Sequence, residues 1–261
     1  MRGLTRWGAI TADKRLKAPV LAALAAALVA AGANAVGQSP QGPEGFTVYP
    51  VTIEMQPGQR TAIVTLQNHS RQDAAFQVRP FAWDQPGGAE QLQPTDQLVA
   101  SPPLGLLPVG SSQVIRLVLR QPAEARETAY RIWLDQIPPA AAPGAIGFAL
   151  RLSIPIFIEP SGHIAPQVHW RAEVAGQSVY LVAVNDGSRR EVVHELAVHA
   201  SAGGGLALES GVSPYVLAGA TRRWRIIPQR AAPVPGETLR LTAEADTGPI
   251  DQAVPVVRAG P

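Results

Sequence analysis

The chain has 261 residues, enough for one large domain or two of about 100–130. It contains no cysteine, which excludes a disulfide framework and a thiolate metal site. Its formal charge is +2, but residues 1–35 hold five basic residues against one acidic; without them it is −2, and nothing in that balance calls for nucleic acid as a partner.

Residues 1–35 read as a secretory signal. A basic region ends at Lys17, an apolar run covers Ala18 to Ala31, and Ala33-Asn34-Ala35 is a small-residue cleavage pattern. The apolar run is shorter than the ~20 residues a membrane span needs. No later stretch is long and uniform enough to insert in a membrane, so export followed by cleavage is expected. Residues 36–45 are a Gly/Pro/Gln linker.

Short apolar runs between turn signals fill the rest, which predicts an all-β protein. Gly and Pro, at 24 and 25 residues, supply the turns. Phe46–Met55 places Tyr49, Val51, Ile53 and Met55 on one face as a single strand. Thr61–Asn68, Ala74–Trp83, Gln97–Pro103 and Gln113–Leu119 follow. Tyr130–Ile137 alternates Tyr130, Ile132 and Leu134 with Arg131, Trp133 and Asp135. Then comes the longest period-two stretch, Ile146–Ile158, with Ile146, Phe148, Leu150, Leu152, Ile154, Ile156 and Ile158 on one face. Pro155 has no N–H for a ladder, so the strand is expected at a sheet edge there. An apolar edge invites pairing with another chain. Seven such strands fit an immunoglobulin-like sandwich over residues 46–159.

Glu159-Pro160-Ser161-Gly162 breaks the pattern and marks a domain boundary. Strands at Val168–Ala175, Val179–Val184, Val192–Ala200, Leu206–Leu208, Arg222–Pro228 and Thr238–Ala245 predict a second β-sandwich over 163–261. Asn185-Asp186-Gly187 reads as a tight turn.

Catalytic and metal chemistry find little support. The five histidines are scattered, and no nucleophile elbow, P-loop or dinucleotide fingerprint is present. Asp84, Glu90 and Asp96 read as loop acids rather than a glycosidase pair. No cofactor and no enzyme activity are expected. Asn68-His69-Ser70 matches a glycosylation sequon. Arg189-Arg190 and Arg222-Arg223 read as solvated strand ends. Arg131 and Arg151 stand out because they sit inside adjacent predicted strands, and guanidinium suits bidentate capture of a carboxylate; two exposed arginines on an outer face is the plainer alternative.

In order along the chain, several pieces resemble the periplasmic pilus (fimbrial) chaperone family. They are Tyr49–Met55, Thr65–Asn68, Ser101–Pro103 with Leu107–Gly110, Tyr130–Leu134 leading to Ile137-Pro138-Pro139, and the alternating strand ending Ile156–Pro160. The resemblance implies two immunoglobulin-like sandwiches at an angle, boomerang-like, in the periplasm. It implies that Ile146, Phe148, Leu150 and Leu152 are lent as a strand to a pilin subunit lacking its own last strand, which then passes to an outer-membrane usher. Family members hold the subunit's terminal carboxylate with an Arg and a Lys; here those positions are Thr52 and Pro155, which looks more like the divergent, archaic branch. Arg131 and Arg151 are then the candidate anchors. The free edge is expected to be hidden by a self-capping dimer or a loop. The competing reading is an exported adhesive or structural β-sandwich protein, pilin-like, which would accept a strand rather than offer one.

Overall fold

The computed structural model describes residues 45–123, 125–137, 149–162, 164–200, 203–209, 213–228 and 231–260. The signal segment, residues 36–44, the loop 138–145, Ile146 and Phe148 lie outside the described residues. Regular structure is almost all strand, as the alternation predicts.

The first sandwich has two sheets. One orders β1 (Phe46–Tyr49), β3 (Thr61–Asn68), β8 (Ser112–Leu119) and β6 (Leu98–Ser101). The other orders β2 (Ile53–Met55), β10 (Arg151–Ile158), β9 (Thr128–Ile137), β4 (Ala74–Asp84) and β5 (Gln91–Pro94), with β7 (Leu104–Leu107) also on β4. Period-two alternation aims one face of each sheet inward. Val64, Leu66, Ile115 and Leu117 meet Phe76, Val78, Ile132, Leu134 and Ile156 in one core.

The second sandwich is built from β11 (Val168–Ala175), β12 (Ser178–Asn185), β13 (Glu191–Ala200), β14 (Gly205–Leu208), β15 (Tyr215–Val216), β16 (Thr221–Ile227), β17 (Thr238–Ala245) and β18 (Gly248–Arg258). β14 bonds both β16 and β13, so it links the two ends of the strand path. Leu181, Trp224, Leu239, Leu241 and Val254 form its core.

The two cores are separate, and a third apolar cluster joins them. Trp83, Ala129 and Phe157 of the first sandwich pack with Leu217 and Ala220 of the second. The Tyr215 ring lies 5.3 Å from both Trp83 and Phe157. Gln85 is buried at this seam, donating to the Tyr215 carbonyl and accepting from Leu217 N–H.

Several local expectations fail for identifiable reasons. Phe46–Met55 is not one strand. Pro50 interrupts it, β1 joins one sheet and β2 the other, and Tyr49 and Val51 are left exposed. Asn68 is no glycosylation acceptor: it is fully buried, and its amide donates to the carbonyls of Gln72 and Leu107 at 3.0 and 2.9 Å. Arg190 and Arg222 are buried rather than solvated. β18 lies beyond the last strand expected from the sequence; Pro255 falls just before it begins its parallel pairing with β11.

Candidate functional site: a free strand edge beside an arginine-lined cleft

β10 carries the site. Its register with β9 puts Leu152 opposite Leu134, Ile154 opposite Ile132 and Ile156 opposite Tyr130. Gln136 N–H donates to the Leu150 carbonyl at 2.8 Å. In an antiparallel ladder, bonded and non-bonded pairs alternate. Even residues of β10 therefore exchange hydrogen bonds with β9, and odd residues direct theirs to the other side. On that side β2 pairs only with Ile156–Ile158, in parallel, and Glu159 N–H reaches the Met55 carbonyl at 2.9 Å. Among the described residues no strand flanks the outer side of Arg151–Pro155. Pro155, itself buried, ends this unpaired stretch, and its missing N–H removes no internal ladder bond. Arg151 and Ser153 keep backbone donors and acceptors there for an added strand.

The inward face leaves the core along this strand. Ile158, Ile156 and Ile154 are buried; Leu152 is half-buried against the core; Leu150 is 38% exposed. One apolar row thus serves the protein's own interior at one end and emerges at the other. Its continuation, Phe148 and Ile146, is outside the described residues.

The register does not bring the two arginines together. Arg131 stands opposite Pro155 and Arg151 opposite Asp135, four residues apart on the outer face. Arg151 Nε donates to Asp135 at 2.5 Å, and Arg79 Nη2 donates to the same carboxylate at 2.6 Å. Both guanidinium groups lie over the Trp133 ring, at 4.3 and 5.2 Å. Burial raises the Asp135 carboxyl, but hydrogen bonds and charge from Arg151 and Arg79 outweigh it and hold the group below the ordinary range.

Arg131 points into the seam between the sandwiches. Its guanidinium lies 3.7 Å from the Trp83 ring centre. It donates to Ser153 Oγ at 3.2 Å and to Ser213 Oγ at 3.3 Å, and its Nη2 is 3.9 Å from Glu90. Burial pushes its pKa below the usual value, against the charge of Glu90.

The sequence pattern did not disclose the rest of this seam. Arg190 donates to Glu127 and to Glu54, so a second-sandwich cation is clamped by two first-sandwich carboxylates. Its guanidinium sits 3.6 Å from the Phe157 ring. Phe157 was the available signal: a large aromatic on the side of β10 otherwise small or polar must have its own apolar partner. Among the described residues, no group of His, Asp and Glu could hold a metal, and no helix is long and apolar enough to cross a membrane.

The two sandwiches meet at a buried seam, and the first ends in an apolar strand that is partly uncovered. Residues 45–163 match the family described as Pili and flagellar-assembly chaperone, PapD N-terminal domain. The first sandwich belongs to that family. Its fold is similar over 82% of its length, at 21% identity and a TM-score of 0.60, to 99% of a chain in the CsuC–CsuE chaperone–tip adhesion subunit pre-assembly complex from archaic chaperone-usher Csu pili of Acinetobacter baumannii. It is similar over 81% of its length, at 16% identity and a TM-score of 0.55, to 95% of a chain in the Salmonella enterica complex of the SafA pilin with the SafB chaperone. The CupB2 chaperone of Pseudomonas aeruginosa aligns along its whole length with 80% of this chain, at 12% identity and a TM-score of 0.51. At these identities the likeness is one of fold. No protein of curated function matches the chain in sequence.

Proposed function

We propose that the protein is a periplasmic chaperone that lends its edge strand to pilin subunits with an incomplete immunoglobulin-like fold and delivers them to an outer-membrane usher. The observation that carries this reading is the emergence of the β10 apolar row from its own core, from Ile154 through Leu152 to exposed Leu150, along an edge with open backbone groups. Ile146, Phe148, Leu150 and Leu152 are the lent side chains. If all four become buried, the gross gain is roughly 6–12 kcal/mol before ordering costs. That suffices for a complex another strand can displace. Arg131 is the cation for the subunit's terminal carboxylate; Arg151, the other arginine singled out in the sequence, is four residues away along the outer face and engaged by Asp135. The unmated edge favours a self-capping dimer when no subunit is bound.

The test is co-expression with a pilin-like subunit. The parent protein is expected to rescue the pilin from degradation, and Phe148→Glu to abolish rescue while the protein stays folded. Rescue by Phe148→Glu would refute strand donation through this face. Unchanged subunit affinity in Arg131→Ala would remove the anchor assignment.

A further inference from the structure

Among the described residues, two arginines whose buried Nε atoms lack a partner face one carboxylate, Glu90. Its carboxylate is 3.9 Å from Arg131 of the first sandwich and 3.9 Å from Arg222 of the second. Both distances exceed a hydrogen bond. The arginine side chains are only 14% and 7% exposed, and the Nε of each has no partner. The same protein shows how a carboxylate shared by two arginines looks when satisfied: Asp135 receives Arg79 and Arg151 at 2.6 and 2.5 Å. Glu90 reaches neither of its arginines that way. Two buried cations therefore share one distant carboxylate, leaving one uncompensated positive charge and unused donors. Burial lowers the pKa of both arginines, and Arg131 adds to the lowering at Arg222.

The site has room and a connection to the edge. Glu90, Ser213, Arg222 and Arg223 line an open cavity of about 590 Å³. Arg131 donates to the hydroxyl of Ser153, whose backbone lies on the open side of β10. A strand added along that edge with its C-terminal end beside Ser153–Pro155 would bring its carboxylate next to Arg131, and a planar carboxylate matches the forked donors of two guanidinium groups.

We infer that Glu90 is an internal stand-in for a peptide's terminal carboxylate, loosely holding Arg131 and Arg222 until the incoming group displaces it, and that Arg222 of the second sandwich is the second cation of that site. This rests on Arg131 being a carboxylate anchor, and it adds a residue of the second sandwich and an internal competitor. Arg151, engaged by Asp135, lies outside the site.

The test uses the mature chain with N-acetylglycine as probe and N-acetylglycinamide as its neutral control. Binding is followed by the arginine Nε–H signals in NMR titration. In the parent protein, Arg131 and Arg222 signals are expected to shift together with the acid and not with the amide. Glu90→Gln is expected to tighten acid binding about tenfold by removing the competitor, and Arg222→Gln to weaken it at least tenfold. Shifts at neither arginine in the parent, equal binding of acid and amide, or parent-like affinity in Arg222→Gln would overturn the inference. The parent titration decides the matter even if a variant fails to fold. Pilin rescue that persists with no carboxylate binding overturns this inference alone. Absence of rescue by the parent overturns the chaperone reading beneath it.

Discussion

The division of β10 into a core half and an emergent half, proposed above to be lent, can be tested by substitutions on the same face. Ile154 is 3% exposed, and Ile154→Ala should cost ~2–5 kcal/mol of folding stability, as buried Ile truncations do. Leu150 keeps 38% of its surface, so by area its burial in the free protein contributes only about 1–2 kcal/mol, with roughly 0.6–1.1 kcal/mol held over for a partner. Leu150→Glu therefore loses at most ~2 kcal/mol of stability. In a complex it also places a carboxylate in an apolar groove, a cost of several kcal/mol, so subunit affinity should fall at least ~100-fold. Urea denaturation followed by tryptophan fluorescence gives the stabilities, and retention of the co-expressed pilin on the immobilised variant gives the binding. The expected pattern is crossed: Ile154→Ala unstable but binding, Leu150→Glu stable but not binding. If Leu150→Glu still binds, or destabilises as much as Ile154→Ala, the row does not emerge from the core and the reasoning fails.

Arg190→Ala should cost ~3–5 kcal/mol in the same urea assay, because it strands Glu127 in the seam without its cation. Burial raises the Glu127 carboxyl above its ordinary value, against the charge and hydrogen bonds of Arg190. The folded protein then holds this proton more tightly than the unfolded chain, so this group makes stability fall as pH rises from the ordinary Glu value to the folded one; Glu127→Gln should remove that slope. Gly187→Ala should destabilise by about 1–3 kcal/mol, because a Cβ would overlap the Ala165 carbonyl oxygen and lie 2.5 Å from the Gln167 nitrogen, both backbone atoms that cannot swing away; thermal denaturation measures it. Asn68→Ala should cost ~1–3 kcal/mol by leaving the Leu107 carbonyl, bonded in the interior, without its donor.

What could be read in the sequence was whatever repeats with a period of two. Tyr130, Ile132 and Leu134 point inward as their alternation requires, and Ile154, Ile156 and Ile158 do the same. The edge character of β10 followed from one residue, Pro155, because a missing N–H is a local property. The seam was not legible, because it depends on partners far apart in the chain. Nothing near Arg190 names Glu54 or Glu127, and nothing near Arg222 names Glu90. A doubled arginine at a strand end is usually solvated; here each pair has one member buried by the other sandwich. Phe46–Met55 misled because its alternation continues unbroken across Pro50, where the chain changes sheets and the two faces exchange roles.

Pairing of Ile156–Ile158 with two neighbours at once fixes more than stability. It clamps one end of the ribbon, so the other end cannot slide to suit a client. Inserting a single residue between Leu152 and Ser153 would turn all four side chains proposed to be lent to the wrong face, whereas inserting two would keep the faces and advance the row by about 7 Å. On the proposed function, a subunit must fit a ruler whose zero is set inside this protein, and lineages that diverge in this segment should gain or lose residues in pairs.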